Sequence, residues 1–232
     1  MPQDVTRTVC VGLGGTGRDV LMCLRRLIVD RYGSLTNFPI VSFLHIDTDV
    51  RGSNVTGLRT GSIYRGQDIS FQQDEQVFLT ISQEEIDLFI RSSKNRKTQA
   101  IGPFDHILQW FDPLLLQNGR GIEQGAGGIR AIGRLAFFWN YEKVHTSVER
   151  AKAKTQGHDA TLLQQKDLKV NSNNNIFITG SLCGGTGSGI FLDVAYSLKK
   201  IYEGNTIIGY FTISPELCRE GMSNRMQAGT IS

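Results

Sequence analysis

Gly184-Gly185-Thr186-Gly187-Ser188-Gly189 joins an apolar run, Asn175-Ile176-Phe177-Ile178-Thr179-Gly180-Ser181, to a helical stripe of Ile190, Phe191, Val194, Ala195, Leu198, Ile201 and Tyr202. A buried strand, a glycine loop and an amphipathic helix in that order predict a turn that aims backbone N–H groups at an anion. Glycine lets the backbone approach a phosphate closely, and the start of a helix has unpaired N–H donors and positive dipole potential. No lysine follows the glycines, so the loop is not a Walker P-loop. Thr186 and Ser188 offer hydroxyl donors instead. Plain helix–sheet packing would also use small residues there, but six in a row exceed what it needs.

Working outward, the same theme recurs. Thr8-Val9-Cys10-Val11-Gly12-Leu13 reads as a buried parallel strand and runs into Gly12-Leu13-Gly14-Gly15-Thr16-Gly17. Val20, Leu21, Leu24, Leu27 and Ile28 then mark one face of a helix from Gly15 to Asp30. Ile40 to Ile46 forms a second strand, ending at Asp47-Thr48-Asp49, which makes a βαβ unit. Alone, this loop fits a Rossmann dinucleotide fingerprint, with Asp47 or Asp49 on a ribose, although the acid falls later than the usual ~20 residues. NAD, FAD or ATP is therefore an open alternative. A third loop, Gly125-Ala126-Gly127-Gly128, enters a helix carrying Ile129, Ile132, Leu135, Ala136 and Trp139 and running to about Lys152.

Composition sets the bounds. The 232 residues suit one sizeable α/β domain, and 40% hydrophobic with 20% charged residues is ordinary for a globular protein. A net charge of +3 is too small to argue for nucleic acid or an acidic membrane surface. Four scattered cysteines without C-x-x-C spacing suggest neither zinc nor disulfides, so no metal ligated by side chains alone is expected and a reduced, cytoplasmic compartment is the default. The N-terminus reads as a strand rather than a signal peptide, and no apolar run reaches the ~20 residues of a membrane span.

Between the motifs, residues 50–117 are less regular. Gly61 to Tyr64 and Gln76 to Thr80 read as short strands or edge segments. Glu84 to Ile90 reads as a helix, and Phe104 to Leu116 as a second one kinked near Pro113. Residues 153–174 are polar and read as a surface loop. Thr206 to Ile213 is a further strand.

Taken together, the motifs resemble the tubulin/FtsZ superfamily, in a divergent, bacterial tubulin-like form. The carriers are Gly12–Gly17, Asp47-Thr48-Asp49, the run Gly125-Ala126-Gly127-Gly128 with Gly133-Arg134 and Ala136, the signature Cys183-Gly184-Gly185-Thr186-Gly187-Ser188-Gly189, and Pro215 with Glu220-Gly221 and Arg225. Five motifs in family order span nearly the whole chain. The resemblance implies a Rossmann-like three-layer fold, a parallel sheet flanked by helices, over residues 1–232. Residues 50–117 form an inserted segment after the second strand, and the chain is expected to stop before the family's central helix and catalytic acidic loop. Cys183 stands where the family has a smaller residue, and Arg18-Asp19 where FtsZ often has an asparagine near guanine.

The resemblance also implies GTP or GDP with Mg²⁺. Gly14, Gly15 and Thr16 would face the α- and β-phosphates, and Gly184, Gly185, Thr186, Gly187 and Ser188 the β-phosphate region. Gly127 and Gly128 would close over the γ-phosphate. Glu220 would bind ribose, Arg225 would lie near the phosphates, and Asp47 and Asp49 would hold Mg²⁺ through water or shape the strand-end turn. A guanine nucleotide, copies of the chain in an oligomer or filament, and another protein on 50–117 are the expected partners. No catalytic residue is assigned, because the catalytic acid would come from a neighbouring subunit. A nucleotide-binding scaffold or sensor without turnover is the second reading.

Overall fold

The computed structural model describes residues 2–50, 62–94, 105–116, 122 and 125–213. Glu220, Arg225, Pro215 and Gly221 lie outside the described residues, as does Phe104.

Five strands build one sheet: β1 (Gln3–Leu13), β2 (Val41–Asp47), β5 (Gln76–Phe78), β6 (Leu168–Ser181) and β7 (Thr206–Thr212). Their order is β5-β2-β1-β6-β7, and every pairing is parallel. From the central β1 the chain steps outward through β2 to β5, then returns to the other side of β1 for β6 and β7. The direction of winding thus reverses between β1 and β6, and a crevice opens there beyond the carboxyl ends of the strands. A separate antiparallel hairpin pairs β3 (Ile63–Tyr64) with β4 (Gln67–Asp68).

Alternation along the strands sorts side chains to two faces. Val9, Val11 and Leu13 of β1 and Ile176 and Ile178 of β6 pack into the main core beneath α4 (Arg130–Trp139), α5 (Tyr141–Lys154) and α7 (Gly185–Ile201). Cys10 and Phe43 point the other way, onto Leu21 of α1 (Gly14–Tyr32). The three layers, helix on sheet on helix, are those expected. Burial pushes the Cys10 thiol up to about 12, so it behaves as a small hydrophobe. Among the described residues no helix is long and apolar enough to cross a membrane.

Four local expectations change. β1 begins at Gln3 rather than Thr8. The polar stretch 153–174 is not a loop, because it holds α6 (Asp159–Lys166) and the first half of β6. There Leu168 to Asn171 pair with Gln3 to Thr6, with a register shift between Thr6 and Arg7. Backbone pairing holds this segment extended despite its asparagines, and Arg7 adds a bond from Nη1 to the Asn171 carbonyl at 2.9 Å. The helix expected from 129 to about 152 is two, broken at Asn140, whose Nδ2 donates to the carbonyls of Ala136 (2.9 Å) and Thr80 (3.0 Å). The kinked helix near Pro113 is a single turn, α3 (Asp105–Leu108), followed by a 3-10 turn at Pro113–Leu116.

Part of 50–117 is integral to the sheet, since β5 forms its edge. Between β5 and the hairpin, Arg25 of α1 reaches Glu75 in the 3-10 turn Gln73–Glu75, with Nη1 and Nη2 both 3.0 Å from Oε2. Phe43 and Phe71 sandwich the guanidinium, 4.9 and 4.7 Å from its carbon. Burial pulls the Arg25 pKa down, against Glu75, which raises it.

Candidate functional site

Three helices start from the three glycine loops, at Leu13/Gly14, Ile129/Arg130 and Gly184/Gly185. None has a side-chain cap on its N-terminus, and none has an acidic residue in its first turn. The remaining helices provide the internal comparison. α2 (Gln83–Lys94), α3, α5 and α6 all carry an acid in the first turn. An acid there neutralises the positive helix end. Among the described α-helices, the three glycine-loop helices are those with no acid in the first turn, and none takes a cap from the side chain of its N-cap residue.

These three ends meet at the crevice between β1 and β6. A Cβ built on Gly185 would lie 2.8 Å from Ala126 Cβ and 3.0 Å from the Gly128 nitrogen. One built on Gly14 would stand 3.5 Å from Thr186 Cβ, and one on Gly125 3.4 Å from Asp49 Cβ. The loops after β1, β2 and β6 and the loop before α4 therefore touch one another.

A directed chain of hydrogen bonds ties them. Asp47 Oδ1 can only accept, so the Thr186 hydroxyl donates to it at 3.1 Å. Thr48 then donates to Thr186 Oγ1 at 2.6 Å, and the Ala126 N–H donates to Thr48 Oγ1 at 2.9 Å. The Gly125 N–H adds a bond to the Thr48 carbonyl at 3.2 Å. Oδ1 of Asp47 also accepts the N–H groups of Thr48 (2.7 Å) and Asp49 (3.2 Å). Three separate loops are thus held by one carboxylate and two hydroxyls, all buried. Arg130 Nε reaches the Ser188 carbonyl at 3.2 Å, and the Ser188 hydroxyl bonds the Gly184 carbonyl.

The named residues fall into two groups. Gly15 and Gly127 are exposed, while Thr16, Gly128, Gly184 and Asp49 are half-buried. Gly14, Asp47, Gly185, Thr186, Gly187 and Ser188 are buried. Gly127 and Gly128 have φ of 58° and 78°, a left-handed backbone suited to glycine. At Gly15 and Gly184 the chain itself makes no such demand. A Cβ at either would meet nothing within 4 Å, and neither has a left-handed φ.

Two residues escaped the sequence reading. Thr48 was quoted with its two aspartates but given no role, yet it joins the loop after β2 to Ala126 and Thr186. His45 stands out in β2 as the one ionisable side chain of the strand before its terminal Asp47, and it is 1% exposed. A histidine inside an otherwise buried parallel strand was the available signal.

A doubly wound sheet with open helix ends at its switch point defines an α/β protein of the nucleotide-site architecture. The chain belongs to the tubulin-like family: the family model described as "Tubulin like" matches residues 9–231. No curated protein matches the sequence. Among solved structures, CetZ from Methanosaeta thermophila superposes over 100% of this chain and 42% of its own, at TM-score 0.53 and 16% identity. CetZ1 from Haloferax volcanii, solved as a GDP-bound monomer, matches 97% of this chain and 47% of its own, at TM-score 0.51 and 13% identity. The chain thus spans less than half the length of these structures, and at such identities they speak for the fold.

Proposed function

We propose that this chain is the GTP-binding part of a tubulin-like protein that assembles into filaments. The observation that carries the reading is the meeting of three helix N-termini with no side-chain cap and no first-turn acid. The positive ends of three helices at one crevice suit the several negative charges of a polyphosphate far better than a single anion. Gly15 and Gly184 add to it: they are glycines that nothing among the described residues requires, which fits close approach by an external group. That CetZ1 holds GDP makes guanine nucleotide the leading candidate among polyphosphates.

In this reading Gly14, Gly15 and Thr16 receive the α- and β-phosphates, Gly184 to Ser188 the β-phosphate and Gly127 with Gly128 the γ-phosphate. Glu220 and Arg225 serve the ribose and the phosphates. Asp47 is turned inward to organise the loops, which leaves Asp49 as the carboxylate placed to meet a hydrated Mg²⁺. Among the described residues no cluster of His, Cys, Asp or Glu could hold a metal ion by itself. Mg²⁺ commonly keeps several waters and binds through phosphate oxygens and one or two carboxylates, so the residues present fit it. Its chemistry there is to offset phosphate charge. Hydrolysis belongs to the assembled protein, with the general base supplied by residues other than these.

The test is Gly184→Asp. A Cβ there meets no atom, and aspartate is a favoured N-cap, so the variant should unfold at the same temperature or higher. Its carboxylate would nonetheless sit among the phosphates, and GTP affinity should fall more than tenfold. If Gly184→Asp and the unaltered protein bind GTP equally in a fluorescence titration, the assignment is wrong.

A further inference from the structure

His45 lies under the first glycine loop, and the reaction as outlined does not use it. On β2 it pairs with Gly12 of β1 and Gln76 of β5. Its ring lies against Phe71 and Phe78, with centroids 5.7 and 6.3 Å away. Nε2 is 3.3 Å from the carbonyl oxygen of Gly14 and 3.6 Å from Oδ2 of Asp47. Nδ1 is buried and has no hydrogen-bond partner among the described residues. A carbonyl can only accept, so Nε2 carries the hydrogen and donates it to Gly14, with the Asp47 carboxylate close enough to reinforce the orientation.

The consequence lies on the far side of the same peptide. All peptide bonds in the described chain are trans, and a trans peptide is planar, so the N–H of Gly15 points opposite to the C=O of Gly14. A bond that fixes this carbonyl toward His45 fixes the Gly15 N–H away from it, at an exposed residue where an added Cβ would meet no described atom. This peptide joins two glycines, the first at φ 68°, so no side chain of its own opposes rotation, and the bond from His45 adds to the hold that the first turn of α1 has on it. Were it to flip, the loop would present a carbonyl oxygen to an anion in place of a donor.

We infer that His45 is a positioning residue that latches the Gly14–Gly15 peptide with its N–H toward the bound phosphate. The same nitrogen faces Asp47, which anchors the loop after β6 through Thr186. One imidazole therefore registers the first glycine loop against the last. The latch deepens the nucleotide reading and rests on it for its ligand, but its geometry can be read without nucleotide.

The experiment uses the protein as it stands, with His45→Leu and His45→Gln. Leucine removes the donor, while the glutamine amide can place an N–H near the position of Nε2. GTP affinity should fall roughly fivefold in His45→Leu, the worth of one hydrogen bond, and return to within about twofold of the parent in His45→Gln. Urea midpoints of the two nucleotide-free variants should be similar, so a purely packing role would not separate them. In ¹⁵N-labelled protein without nucleotide, the Gly15 amide signal should move in His45→Leu and stay near its original place in His45→Gln. Should His45→Leu fail to fold, the parent still decides: its ¹⁵N imidazole signals must show hydrogen on Nε2 and a bare Nδ1. Hydrogen on Nδ1, or an unmoved Gly15 signal in His45→Leu, overturns the latch. An unaltered protein that ignores GTP overturns the nucleotide assignment instead, and the Gly15 signal then judges the latch by itself.

Discussion

Gly133 of α4 packs so closely on the loop before α7 that an added Cβ would lie 2.3 Å from the Gly185 carbonyl oxygen and 3.4 Å from the Thr186 Cα. Both neighbours are backbone, so relief requires one helix to move from the other. The contact explains why a small residue is needed one turn into α4, where helix propensity alone would favour alanine. Gly133→Ala should therefore destabilise the protein by about 1–3 kcal/mol, the usual cost of overpacking, seen as a lower urea midpoint with an unchanged slope. A variant as stable as the parent would mean that α4 and α7 are not locked together. The contrast with Gly184 is useful because the same chemical change, adding a side chain, meets backbone at one site and open space at the other. Residue type in the sequence marked both as glycine, but only packing separates a structural glycine from one kept for a ligand.

At the scale of elements, α2 shows how the segment between β5 and the third loop is fastened. Ser82 and Glu85 form a reciprocal N-terminal box. The Ser82 N–H and hydroxyl both donate to Glu85 Oε2 at 2.8 Å, and the Glu85 N–H returns to Ser82 Oγ at 3.3 Å. The other carboxylate oxygen accepts the indole N–H of Trp139 from α4 at 2.9 Å. This indole, with the two Ser82 donors, holds the Glu85 carboxyl below the usual carboxylate range. A depressed acid stabilises the folded state above its unfolded pKa and loses that contribution as pH falls through the folded value. Glu85→Gln should thus melt below the parent at pH 7, and the gap should narrow as pH drops below about 4.3. A gap that is constant with pH would show that the charge of Glu85 contributes nothing. A helix from Glu84 to Ile90 was expected from the sequence. The tie to Trp139 was not, because it joins residues far apart in the chain. The β6 extension was hidden for the same reason: Lys169, Asn171, Asn173 and Asn174 carry no strand propensity, and the neighbouring backbone of Gln3 to Arg7 draws this stretch into the sheet.

For the whole molecule, the glycine loops and apolar runs made the parallel sheet flanked by helices legible, since each strand–loop–helix unit carries its own local signal and crossovers are right-handed by default. The convergence of the loops on one pocket was expected, but the buried contacts among Thr48, Thr186, Asp47 and Ala126 that hold it could not be read, because no spacing encodes them. That convergence governs how the molecule should respond to ligand. The loops after β1, β2 and β6 are tied to one another and each continues into a core element, so a ligand gripping them is lost only when the sheet itself unravels. GTP should accordingly raise the midpoint of global unfolding, and not merely quieten a loop. At a hundredfold excess over its dissociation constant, a ligand of the folded state adds about 2.7 kcal/mol. In a chain of this size each kcal/mol moves the midpoint by roughly 2–4 °C, which gives a rise of roughly 5–10 °C. The rise should grow with the logarithm of GTP concentration and disappear in Gly184→Asp, while NADH at equal concentration leaves the midpoint in place. The opposite pattern, with NADH stabilising and GTP inert, would assign the crevice to a dinucleotide. In that case the three open helix ends would serve a pyrophosphate in place of a triphosphate.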